Sequence, residues 1–249
     1  MHRTWALYKK EVRSYFVTPL FYVVATVFLC LSGLFFYSDL NFFTQFGFGM
    51  DILNNFFQLL FVDMATKGMT FTVPLLTMRL FAEERKLGTI ELLFTYPLRD
   101  GEVFAAKFLA AATVFLVMLA GTLLYPIYLY TIQPYPFRVL SAGYAGLVLL
   151  GMVFIAIGLF VSSLTDSQVV AGVGSLFLVG MLWAMAWNEA AGSDQVMRVV
   201  KSFSTFDHFW NFSKGLIDST DVLYYLFVTT FFATLTLRSL ESRRWRGRR

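Results

Sequence analysis

Leu20–Ser38 holds no charged side chain. At 1.5 Å of helical rise per residue it is long enough to cross a hydrocarbon core roughly 30 Å thick. Five further runs read the same way: 58–80, 103–130, 139–163, 168–188 and 221–237. The composition agrees, with 57% hydrophobic and only 14% charged residues, 29 Phe and a mean hydropathy of +0.64. A soluble core of this size cannot hold so much apolar side chain. The chain therefore reads as all-α: a polytopic membrane protein with six transmembrane helices, residues 1–249 forming one domain. The run after the basic start is too long for the apolar part of a signal peptide, so no cleavable leader is expected.

The spans carry few irregularities. Asp39 is expected to end the first, and residues 39–57 read as a polar loop. In the second, Asp63 and Lys67 lie four apart and can pair on one helix face. They read either as an ion pair near the outer end or as a polar point in a translocation path. Pro74 can kink the same helix. Asp100 is a good N-cap for the third span, and Pro134 and Pro136 punctuate the loop after it. Ala142 and Gly146 have the spacing of small residues at a close helix contact. Trp183 and Trp187 read as an interfacial belt. Cys30 is the single cysteine, so no internal disulfide forms.

The flanking segments differ from the spans. In residues 1–17, Trp5, Tyr8, Val12, Tyr15 and Phe16 fall on one helical face among Arg3, Lys9, Lys10, Glu11 and Arg13. That is a basic amphipathic helix suited to the headgroup region of the bilayer. Thr18–Pro19 then reads as a cap followed by proline at the first helical position. Residues 189–220 place Val196, Val199, Val200, Phe203 and Phe206 at helical spacing, interrupted by Arg198, Lys201, Asp207 and Lys214. They read as short re-entrant helices dipping into the outer face. Fifteen of the twenty basic residues lie in the amino-terminal helix, in Arg79–Lys107 and in the six-arginine tail. The positive-inside rule then places both termini and residues 81–102 in the cytoplasm of a bacterium, with the chain in its inner membrane. The net charge of +4 is modest, and nucleic acid is not an expected partner.

Catalytic chemistry is hard to find. His2 and His208 are far apart, and no HExxH or phosphate-binding loop occurs. Ser175 lies in GVGS, which is not a nucleophile elbow. His208 beside Asp207 reads as an interfacial polar pair. No cofactor or metal is expected, and an intramembrane enzyme is the least favoured class.

The longest polar interruption, Leu80–Lys107, is the most informative stretch. Glu83, Glu84, Arg85 and Lys86 form a charged cluster, Gly88 follows, and an apolar run from Thr89 stops at Pro97. Met78–Phe108, MRLFAEERKLGTIELLFTYPLRDGEVFAAKF, resembles the cytoplasmic signature of type-2 ABC transporter permeases. The carboxy-terminal FDHFWNFSKGLIDSTDVLYYL is similar to the gliding-motility-type branch of that family. The resemblance implies a non-catalytic permease subunit, an exporter in which a pair of separate cytosolic ATPase subunits supplies the energy. It implies that Thr89–Tyr96 is a coupling helix. Leu87, Ile90, Leu93 and Phe94 would give its apolar contact, and Glu83, Glu84, Arg85, Lys86 and Glu91 the polar rim. It also implies a second permease copy or paralogue and allows an extracytoplasmic accessory protein. Two alternatives stay open: a linker helix with no docking role, and a structural subunit that anchors a complex and transports nothing.

The charge split makes the topology testable. A cysteine at Ser193 or Ser219 should react with an impermeant thiol reagent in intact cells, and one at Ser242 should not. Equal labelling at all three positions would overturn the orientation.

Overall fold

The structure is a computed structural model that describes residues 2–46, 52–89, 99–132, 135, 137–184 and 203–246. All regular structure among these residues is helical. The chain runs α1 (His2–Val17), α2 (Pro19–Phe46), α3 (Ile52–Asp63), a π-helical turn (Met64–Met69), α4 (Thr70–Thr77) and α5 (Arg79–Lys86). It continues with α6 (Asp100–Gly121), α7 (Leu124–Ile132), α8 (Phe137–Leu164), α9 (Gln168–Ala184), α10 (Thr205–Ser213) and α11 (Ser219–Arg246). Five stretches are long and apolar enough to cross a membrane: Pro19–Gln45, Asn55–Lys86, Asp100–Thr131, Phe137–Leu164 and Ser219–Ser242. The fifth of the six expected spans corresponds to a shorter apolar helix, Gln168–Trp183. Residues 185–188, where that span was expected to end, lie outside the described residues, as do 189–202.

The boundaries depart from the sequence reading in instructive ways. The first span does not end at Asp39. Its helix continues to Phe46, taking in Asn41 and Gln45, because Asp39 is buried rather than solvated at an end. The third span breaks at Thr122–Leu123, where α6 gives way to α7. Pro126 has no N–H to give the Thr122 carbonyl, which accepts instead from the Tyr125 N–H at 3.1 Å. Arg99, not Asp100, is the N-cap of α6; Asp100 is its first helical residue. The Glu102 carboxylate accepts from the Arg99 N–H at 2.9 Å, and both acids face the positive end of the helix dipole. The last helix runs on to Arg246, since Leu240 is buried and the Ser239 hydroxyl donates to the Ser163 carbonyl at 3.4 Å.

The core is built on α8, which touches α3 to α6 and α9 to α11. Its glycines permit this. A Cβ on Gly143 would strike Phe61, one on Gly151 would strike Phe115, and one on Gly158 would strike Thr77. A methyl added at Gly146 would lie 2.6 Å from Phe212 Cβ, so the expected small-residue contact is made with α10. Helix α10 is capped by Ser204, whose Oγ accepts from the Asp207 N–H. It is clasped to α11 by Asp221, which accepts from Asn211 Nδ2 at 2.9 Å and meets His208 Nδ1 at 2.6 Å. His208 thus has a partner in Asp221, on the next helix. By contrast α2 and α11 are largely exposed, as lipid-facing helices should be.

Close approach at α8 gives a stability test. Gly158→Ala should overpack the contact with Thr77 at a cost of about 1–3 kcal/mol, lowering the melting temperature of the detergent-purified protein. Gly180→Ala, where nothing lies within 4 Å, should leave it unchanged.

Candidate functional site

One end of the bundle gathers α1, α5 and the start of α6. Lys107, about two turns into α6, is 1% exposed. Its ammonium lies 2.9 Å from Glu84 Oε1 on α5 and 3.3 Å from Glu11 Oε1 on α1. The Phe81 ring covers it at 5.3 Å. Lys10 reaches the same two carboxylates at 4.0 and 3.6 Å. Local sequence dictates this convergence. On α1, Leu7, Glu11 and Tyr15 fall at i, i+4 and i+8 and form the stripe turned to the protein. Trp5, Phe16 and Val17 are exposed. On α5, Leu80, Phe81 and Ala82 are buried and Glu84 sits beside them.

A second set of contacts fixes the break between α4 and α5. The Ser162 hydroxyl on α8 accepts from the Phe81 and Ala82 N–H groups at 3.1 and 3.0 Å, and donates to the Met78 carbonyl at 3.0 Å. A hydroxyl inserted into the helix ladder in this way bends it. Tyr15 donates to the Leu76 carbonyl at 3.1 Å, and the Arg79 guanidinium lies 4.5 Å from its ring. Burial pushes the Tyr15 phenol well above its ordinary range, with Arg79 offsetting only part, so it stays a neutral donor. Between α1 and α5 lies a groove of about 240 Å³, lined by Lys10, Ser14, Arg79, Glu83, Leu87 and Thr89 among others.

The residues singled out in the sequence divide here. Glu84 points inward to Lys107. The Arg85 side chain is 3% exposed and lies 3.9 Å from Asp166 in the turn between α8 and α9. Glu83 lines the groove, while Lys86, Leu87, Gly88 and Thr89 are exposed. Gly88, with φ of +69°, ends α5 in the left-handed conformation that glycine adopts without strain. Ile90, Glu91, Leu93, Phe94 and Pro97 lie outside the described residues. Asp63 and Lys67 do pair, at 2.7 Å, at the far end of the second span. Ser175 donates back to the Ala171 carbonyl of its own helix. Sequence reading missed Glu11 and Ser162. The signal for Glu11 was its place as the sole acid of α1, between Leu7 and Tyr15.

This arrangement pairs charges of α1, α5 and α6 at one end of the bundle. Residues 5–237 match the family described as ABC-2 family transporter protein. The chain belongs to the ABC-2 transporter family. No curated protein matches the chain. Family membership makes it a multi-pass membrane permease subunit of an ABC transporter, and it implies an ABC ATPase as partner. The charge cluster of this ABC-2 permease then joins α1 to the end of its second span and the start of its third.

Lys107→Met should strand Glu84 and Glu11 without their main cation. Breaking a buried pair this way costs about 3–5 kcal/mol, which thermal unfolding of the purified permease will register. Adding Glu84→Gln and Glu11→Gln should recover most of the loss, as the stranded charges are then gone.

Proposed function

We propose that this permease is half of an exporter, paired with a second copy or a paralogue and driven by a pair of cytosolic ABC ATPase subunits that dock on Leu87–Pro97. The observation that carries the reading is the cluster of Lys107, Glu84 and Glu11. It ties the exposed turn Leu87–Thr89 to the second span, the third span and the interfacial helix together. Force applied to that turn passes along α5, whose helix is the end of the span Asn55–Lys86. Lys107 passes it to α6, and Glu11 to α1. The three elements move as one body because separating them would expose unpaired charge in a low-dielectric setting.

The docking face consists of Leu87, Ile90, Leu93 and Phe94, with Lys86 and Glu91 at its edge. In this arrangement Glu84 and Arg85 act as internal braces rather than as rim contacts. Leu87 is 67% exposed, and an apolar side chain so placed favours an external surface. About eight residues between Gly88 and Pro97 are too few to hold a helix alone in water, which also favours docking. Fifteen basic residues on this side support a cytoplasmic location in a bacterial inner membrane, with both termini inside. The apolar, aromatic bundle suits an amphipathic or lipid-linked cargo. An extracytoplasmic accessory protein would meet α10 and its neighbours. The likeness of the carboxy-terminal segment to gliding-motility-type permeases belongs to the same proposal, and rests on the residues that form α10 and Asp221.

Ile90→Asp or Phe94→Asp should give a membrane-inserted permease that no longer recovers its ATPase in a pull-down. A charge placed in a desolvated contact weakens a micromolar association by orders of magnitude. Glu84→Gln with Lys107→Met should keep ATPase recovery but lose cargo export. Wild-type recovery with both aspartates would reduce the segment to a linker.

A further inference from the structure

Because α2 continues past Asp39, a carboxylate stands inside the bundle. Asp39 is 4% exposed, and its Oδ2 has no hydrogen-bond partner among the described residues. The charged groups that act on it are Asp63 and Lys67. The Lys67 ammonium is already committed to Asp63, at 2.7 Å. Phe35, on the Asp39 face of α2, meets this Lys67 ammonium, so the unpartnered carboxylate and the ion pair lie on the same side of α2. An ionisable group enclosed in a membrane bundle without its own counter-charge marks a ligand or ion path.

The same place displays the chemistry it accepts. The Lys67 ammonium meets a carboxylate on one side and the Phe35 ring on the other, 5.3 Å from its centroid. Phe35 precedes Asp39 by four residues, so the two share a helix face. Phe36 and Phe43, also on that side of α2, meet Phe56 edge to face. A carboxylate on a phenylalanine-rich helix face suits an organic ammonium: the oxygen takes the N–H, and a ring such as Phe35, which already holds the Lys67 ammonium, takes the positive charge. The Lys67 side chain is 57% exposed, so an arriving ammonium meets it first. It also stands in the π-helical turn Met64–Met69, a distortion frequent at functional sites.

We propose that Asp39 and Asp63 form a binding site for the ammonium head of an amphipathic cargo, with Lys67 as a tethered stand-in. The transport reading supplies only the role of the ligand; the binding itself needs no ATPase.

The test titrates dodecylammonium, with dodecanol as neutral control, into full-length permease in nanodiscs and follows heat, with lipid-only discs subtracted. Dodecylammonium should bind saturably, and dodecanol should not. Asp39→Asn should weaken the ammonium by about tenfold, the loss of one charge-assisted hydrogen bond, with the melting temperature retained. Lys67→Met removes the tethered competitor and should tighten binding by about tenfold, a direction that a purely structural ion pair does not produce. Equal affinity in wild type and Asp39→Asn, or weaker binding in Lys67→Met, overturns the site. Displacement by ammonium chloride at equal concentration overturns the assignment to an amphipathic ligand in favour of a free cation. Failure to recover an ATPase, with this binding intact, overturns the transport reading alone.

Discussion

Lys107 has nowhere to place its ammonium except between Glu84 and Glu11. It is buried, it enters a membrane span, and a charge in that position is tolerated only when paired. Much of this end of the structure follows. Glu84 must turn inward, which sets the rotation of α5. Glu11 must face α6, which docks the amino-terminal helix on the bundle and turns Trp5 and Phe16 outward. A buried ion pair is a weak source of net stability, but it is exacting about geometry.

The opposite end uses another solution. There α10 is held by packing against Gly146 and by Asp221, which joins His208 and Asn211 to the last helix. Tyr224 stacks on the His208 ring with centroids 3.9 Å apart. Between the two ends runs α8, whose glycines let Phe61, Phe115 and Thr77 approach its backbone. Dispersion at such short range holds helices together in lipid, where the hydrophobic effect gives no drive to associate.

The sequence made the architecture legible because the bilayer imposes it. Long uncharged runs, basic flanks and an amphipathic start each have a single physical reading. The Asp63–Lys67 pair was legible for the same reason, since i,i+4 spacing on one helix is local. The break at Pro126 was missed, although proline carries the signal for it. The continuation of α2 past Asp39 could not be read at all: an acid at the end of an apolar run looks like a terminus until the helix facing it is known.

What the sequence by itself determined is the set of helices, their order, the side on which basic charge collects and the segment between the second and third spans. These depend on hydropathy and local spacing, which one line of residues contains. Only the tertiary structure decided which charges meet. Glu84 looked like a solvent-facing member of an exposed cluster, and it is a half-buried partner of Lys107. Glu11 looked like part of a polar helix face, and it lies against a lysine 96 positions away. Ser162, which no local pattern singles out, bridges the break in the second span. Each role depends on residues distant in sequence approaching within about 3 Å, and that approach is set by helix packing, which periodicity along one helix does not encode.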